Sequence, residues 1–171
     1  MIRRGHIKPI WSNETILALN FKNRNMSESS DGGKTMYIWE DFDGAQKYWN
    51  NIGMNVADSF DTDDFWKHDP WPDLDNKVYA VHYLEPGMIQ PLHGDLYRRY
   101  SANHGITNLD QIYRIIVFLA DWQMGHIFHC DDKSLDGWRA GDWVGWSGTT
   151  RHIAANFGKF PRYTLQITGT I

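Results

Sequence analysis

The hydrophobic and polar positions change character near residue 77. Beyond it, short apolar runs follow one another, separated by Gly, Pro and Asp. They are Val78 to Leu84, stopped by Glu85-Pro86-Gly87; Met88 to Leu92, running into His93; Ile112 to Ala120; Gly125 to Cys130; a run opened by Gly141-Asp142 and continued through Trp146; and Arg162 to Ile171, which alternates in part. β-Branched and aromatic residues dominate these runs and turn-forming residues divide them, so each predicts a strand. Pro91 suits a sheet edge or strand end, because proline cannot donate to a ladder. Many short strands in succession predict a sandwich or jelly roll and not a βαβ sheet.

Residues 1–76 have a different pattern. Thr15 to Phe21 predicts a strand, and Met26 to Lys34 has the composition of an exposed loop. A helix is expected from Asp43 or Gly44 to Asn51, with Asp41 or Asp43 capping its first amides and Gly53 ending it. Its apolar residues Ala45, Tyr48 and Trp49 fall at helical spacing and are expected to pack on the sheet. The acidic, Trp- and Pro-rich stretch Asp58 to Asp75 has no period and is expected to be a long loop over the barrel, a lid.

Composition narrows the class. At 171 residues the chain fits one domain, with 1–76 as a supporting segment and 77–171 as the core. Hydrophobic residues make up 42% and aromatics 15%, with nine Trp, which excludes a disordered chain. A net charge of −4 and the lack of clustered Lys and Arg argue against a nucleic-acid partner; Arg98-Arg99 is the notable basic pair. No twenty-residue apolar run is present and no apolar core follows the N-terminal Met1 to His6, so neither a membrane span nor a signal peptide is expected, and the expected location is the cytoplasm. The single cysteine, Cys130, excludes an intramolecular disulfide.

Candidate chemistry centres on His93-Gly94-Asp95. Side chains two apart on a strand share a face, so His93 and Asp95 can enter one interior from a single strand, with Gly94 giving close backbone access or acting as a turn residue. His152, after the Gly141-Asp142 strand, could supply a third ligand. Two imidazoles and a carboxylate on one face of a metal, with positions left open, is the arrangement of non-haem Fe(II) oxygenases. Ten residues on, Arg162 and Thr164 project to one side of the last strand, a fork and a hydroxyl suited to a carboxylate. Taken otherwise, 93–95 is a turn, His152 a core or surface histidine and Arg162 paired with an acid; that leaves the ordered spacing unexplained.

The whole pattern, His-x-Asp, a distal His and then Arg-x-Thr, resembles the 2-oxoglutarate-dependent Fe(II) oxygenase family. The resemblance covers residues 77–171 and implies a mainly β fold, the cupin-like double-stranded β-helix, with one or a few N-terminal helices. It implies His93, Asp95 and His152 as iron ligands and catalytic residues, and Arg162 with Thr164 as the anchor for the cosubstrate 5-carboxylate. Turnover would consume O2 and 2-oxoglutarate, release succinate and CO2, and hydroxylate an unactivated C–H bond of an amino-acid-like or peptidyl substrate; the carboxylate ligand favours hydroxylation over halogenation.

Tyr83 is a candidate cosubstrate contact or a core residue. Arg114, costly to bury unpaired, is expected to meet either the cosubstrate or a protein acid. Asn156 could orient the site or turn the chain, and Trp138, Trp143 and Trp146 read as core. His126 could face the cavity, but His126 and His129 fall on opposite faces of a strand, against a second metal site there; His82 and His104 read as surface or loop residues. Two other classes fit parts of the pattern: a cupin-type metal enzyme that does not use 2-oxoglutarate, and a catalytically silent jelly-roll binding module.

Overall fold

In the computed structural model of the protein, which describes residues 2–25, 37–39, 53–58, 71 and 73–171, the chain winds back and forth between two facing sheets. Strand β1 is Arg3–His6, β2 Lys22–Asn25, β3 Tyr37–Trp39, β4 Gly53–Asp58, β5 Asp75–Leu84 and β6 Ile89–Asp95. β7 is Ile112–Phe118, β8 His126–Cys130, β9 Lys133–Leu135, β10 Asp142–Ser147, β11 His152–Asn156 and β12 Arg162–Thr170. The larger sheet has the order β1-β10-β7-β12-β5-β4-β2 and the smaller β3-β6-β11-β8-β9, with every pairing antiparallel. From β5 to β12 the chain passes between β10-β7-β12-β5 and β6-β11-β8-β9, staying in the smaller sheet only for the β8–β9 hairpin, which is the winding of a double-stranded β-helix, the jelly roll expected from the strand pattern.

Two apolar clusters follow from strand alternation. Inside, between the sheets, Leu84, Ile116, Phe118, Val144 and Trp146 of the larger sheet meet Phe128, Cys130, Leu135 and Ala154 of the smaller. On the outer face of the larger sheet, Val81, Tyr113, Ile115, Val117, Leu165 and Ile167 are covered by Ile16, Trp11 and Phe21 from the N-terminal residues. This is why β7 is buried at every position and reads as a continuous hydrophobic run.

Two expectations are corrected. Thr15 to Phe21 is not a strand: helix α1 spans Asn13–Leu17, because the Ser12 hydroxyl accepts the Thr15 N–H at 3.2 Å and the one buried side chain, Ile16, needs only a single helical turn to reach the outer core. Pro91 does not lie at a strand end. Between Gln90↔Ala154 and His93↔His152 β6 spends one more residue than β11, and Pro91 sits in that bulge, where the proline's missing N–H is tolerated; the pairing of β6 with β3 covers His93 to Asp95. The segment before residue 77 contributes strands: β1, β2 and β4 extend the larger sheet and β3 the smaller. Helix α2, Arg98–His104, and strand β9 were not anticipated. The expected loop over 26–34, the expected helix over 44–51 and most of the expected lid lie outside the described residues.

The β9–β10 connection yields a test. Gly141 has φ +94°, its N–H donates to the Phe118 carbonyl at 2.8 Å and its carbonyl accepts from the Ile7 N–H at 2.9 Å, and an added Cβ would run into the Ile7 carbonyl oxygen. Gly141→Ala is expected to destabilise the protein by about 2 kcal/mol or more, read as a lower urea midpoint with an unchanged slope.

Candidate metal centre

The register of the smaller sheet assembles the centre. His93 and His152 are direct cross-strand partners on β6 and β11, with ring centroids 4.4 Å apart, and Asp95 follows His93 by two and so shares its face. One ligand atom from each of His93, Asp95 and His152 lies within 4.8 Å of the others, and all three residues are buried; no other such group occurs among the described residues. His93 Nε2 is 3.9 Å from Asp95 Oδ1, and His152 Nε2 is 3.9 Å from Asp95 Oδ2. The other ring nitrogens are engaged: His93 Nδ1 donates to the Pro91 carbonyl at 2.6 Å and His152 Nδ1 to the Thr150 carbonyl at 3.1 Å. A carbonyl only accepts, so this assigns the proton to Nδ1 and turns both Nε2 lone pairs toward the carboxylate. Two such imidazoles and a carboxylate form the donor set of a first-row divalent metal, and these residues fit one. Gly94 is a strand residue paired with Ile38, and not a turn.

Burial would push the Asp95 carboxyl up, but Arg114, then His152, His93 and His82, hold it below the usual carboxylate range. Of the two kinds of partner open to Arg114, the structure supplies the protein acid: its Nη1 is 2.7 Å from Asp95 Oδ2 and donates to Gln166 Oε1 at 2.6 Å. His82, expected at the surface, is instead buried and acts on Asp95. It has the parity of Leu84, which lines the interior, and that alternation was the available signal.

Arg162 is buried at 3% exposure, with its guanidinium 5.4 to 5.7 Å from the ring centres of Phe128, Trp138 and Phe118. Its Nε and Nη2 have no hydrogen-bond partner among the described residues, and burial pulls it down to about 9. Phe128 links it to the centre, its ring centroid lying 6.4 Å from that of His152. Thr164 is buried on the same side of β12. Tyr83 does not join them. It stacks on Tyr163 at 5.0 Å and touches Phe21 on the outer face, the opposite parity to His82 and Leu84, so the expected cosubstrate contact is corrected.

The remaining candidates take structural positions. His126 faces the interior, stacking near Trp138 and donating from Nε2 to the Phe160 carbonyl at 3.0 Å, while His129 is exposed on the other side. Asn156 holds a turn, donating to the Leu84 and Phe160 carbonyls and accepting from the Gly158 N–H. Trp138 and Trp146 belong to the inner core and Trp143 packs edge-on to Trp71 outside. His104 is exposed, and no helix among the described residues is long and apolar enough to cross a membrane.

No family model matches the chain, and no curated protein matches it in sequence. Among solved structures it is similar to a predicted oxalate decarboxylase from Thermotoga maritima, at 15% identity over 70% of this chain and 82% of that one with a TM-score of 0.43. It is also similar to a cupin 2 conserved barrel domain protein from Salinispora arenicola, at 14% identity, 68% and 75% coverage and a TM-score of 0.41. A third is an uncharacterised protein with a double-stranded β-helix domain from Klebsiella pneumoniae, at 14% identity, 56% and 69% coverage and a TM-score of 0.40. These likenesses carry no statement about chemistry, which rests on the side chains above.

The buried histidines generate a pH dependence. Burial, then repulsion from His93, pushes His152 from 6.5 down to about 3, with Asp95 opposing. The unfolded chain takes up this proton near its ordinary pKa while the folded chain does not, so stability present above about pH 6.5 is lost as pH falls toward about 3. The unfolding free energy of the metal-free protein, read from denaturant titrations, is expected to fall across that window by on the order of a few kcal/mol, and its slope with pH to flatten in His152→Leu.

Proposed function

We propose that the chain is an Fe(II)- and 2-oxoglutarate-dependent dioxygenase that hydroxylates an unactivated C–H bond of an amino-acid-like or peptidyl substrate, with succinate and CO2 as co-products. The observation that carries the reading is the open edge of Arg162 one aromatic ring away from a His-Asp-His cluster. Nε and Nη2 form the side-on edge of a guanidinium, which presents two parallel N–H bonds and matches a single carboxylate.

His93, Asp95 and His152 would hold the ferrous ion. Bound iron supplies the one-electron chemistry by which O2 is brought to react with a C–H bond. The chain's own part is positional. The Pro91 and Thr150 carbonyls fix the tautomers and ring angles of the two imidazoles, and burial keeps both unprotonated and able to ligate at neutral pH. Arg162, with Thr164 buried on the same side of β12, would take the remote carboxylate of the keto acid, and Phe118, Phe128 and Trp138 keep water from competing for it. A barrel enzyme that uses a metal without 2-oxoglutarate, or a silent binding module, shares the fold but leaves the unmatched edge of Arg162 without a purpose.

Anaerobic titration with Fe(II) and 2-oxoglutarate, followed by admission of air and assay of succinate, tests the reading. Asp95→Ala is expected to weaken metal binding by more than about 100-fold. Arg162→Met is expected to keep metal affinity and lose roughly 100-fold in 2-oxoglutarate affinity, because it removes a desolvated charge partner. Unchanged 2-oxoglutarate binding by Arg162→Met would overturn the proposal. A panel of free amino acids and peptides, scored by stimulated succinate release, identifies the substrate.

A further inference from the structure

Arg114 makes more contacts beside the cluster than a simple counter-ion requires. Its Nη1 reaches both Asp95 Oδ2 at 2.7 Å and Gln166 Oε1 at 2.6 Å, and its guanidinium lies over the ring of Tyr97 at 4.8 Å. Gln166 on β12 and Arg114 on β7 are interior residues of neighbouring strands, so the guanidinium is held from the sheet side as well as from the Asp95 side. Tyr97 is the costlier part of the arrangement. It is buried and stands at φ +51°, in the left-handed region that bulky side chains avoid, two residues after Asp95. It precedes helix α2 but its side chain makes no capping hydrogen bond, so the strain is not explained by helix capping. What the strained backbone does achieve is to bring the ring under Arg114.

We infer that Arg114 is a positioning residue for Asp95: both carboxylate oxygens border the cluster, Oδ1 3.9 Å from His93 Nε2 and Oδ2 3.9 Å from His152 Nε2, and the Arg114 guanidinium, 2.7 Å from Oδ2, neutralises that oxygen and leaves Oδ1 as the free donor, so the carboxylate ligates through one oxygen. This deepens the proposed function and rests on it. A carboxylate with both oxygens bare can chelate a divalent cation through both. On an ion with six positions, two imidazoles and a one-oxygen carboxylate would leave three for ligands from outside the protein. A two-oxygen carboxylate would leave one fewer. Arg114 thereby sets how many positions the protein leaves open.

The consequence is unusual for a residue next to a ligand, because its removal should tighten metal binding. Arg114→Met takes a positive charge from beside the metal and frees the second oxygen, two effects of the same sign. The experiment loads Mn(II) on the otherwise unliganded protein and measures its dissociation constant together with water-proton relaxation, which counts exchangeable waters on the ion. Arg114→Met is expected to bind Mn(II) several-fold more tightly and to lose about a third of the wild-type relaxation enhancement, one water of three. Arg114→Lys, which returns a charged donor to Oδ2, is expected to restore most of both. Gln166→Leu, which loosens Arg114 without removing it, is expected to shift both in the direction of Arg114→Met by less, and carries the test if Arg114→Met does not fold.

Mn(II) affinity and relaxation in Arg114→Met equal to wild type, or no recovery in Arg114→Lys, would overturn the inference while leaving the proposed function standing. Failure of the wild-type protein to take up Mn(II) would overturn both.

Discussion

A charge removed from water must be paired, and the interior of this barrel contains two arginines that meet that requirement differently. Arg114 is closed: Asp95 matches its charge and Gln166 and Tyr97 fix its direction. Arg162 is open, surrounded by ring faces that interact with a cation only weakly and leave two of its nitrogens without an acceptor among the described residues. A buried ion left without its partner costs on the order of 3–5 kcal/mol, far more than three ring contacts return. A fold that carries such a group has a reason to bind an anion at that place, and the place is defined by Phe128, which stands between Arg162 and His152.

The cluster itself depends on register more than on residue type. His93 and His152 face each other only because β6 takes one residue more than β11 between the paired positions, and Pro91 sits in that irregular stretch. The same proline gives its carbonyl to His93 Nδ1, so one residue both sits in the bulge and orients an imidazole of the cluster. A slip of one residue in either strand would turn its histidine to the other face of the sheet, away from Asp95.

Much of this was legible because strand alternation is a strict rule. His93 and Asp95, or Arg162 and Thr164, share a face by spacing alone, and the turn-bounded runs after residue 77 located the jelly-roll strands to within a few residues. The same rule, applied evenly, would have rejected Tyr83 and admitted His82, whose parity matches Leu84. What spacing could not provide was the partner of Arg114, since pairing with Asp95 is decided by how β7 and β6 face one another across the barrel and not by any local pattern. The N-terminal misreading has a similar cause. The apolar content of Thr15 to Phe21 is real, but Ser12 caps a single turn that sends Ile16 to the outer core and leaves Leu17 exposed, so a periodicity of so few residues could not tell helix from strand.

β12 shows how such a polar interior is tolerated. Its outward residues Tyr163, Leu165 and Ile167 join the apolar cluster covered by the N-terminal residues, while its inward residues Arg162, Thr164, Gln166 and Thr168 are all polar. A jelly roll that packed only between its two sheets would need that inward face for apolar contact. Here the larger sheet is buried on both sides, and the cover formed by Trp11, Ile16 and Phe21 supplies a second hydrophobic layer whose stabilisation does not depend on what the barrel holds. The cover of Trp11, Ile16 and Phe21 therefore bears on the cluster from outside: by stabilising β5, β7 and β12, it lets the inside keep two arginines, a carboxylate and several imidazoles in close company.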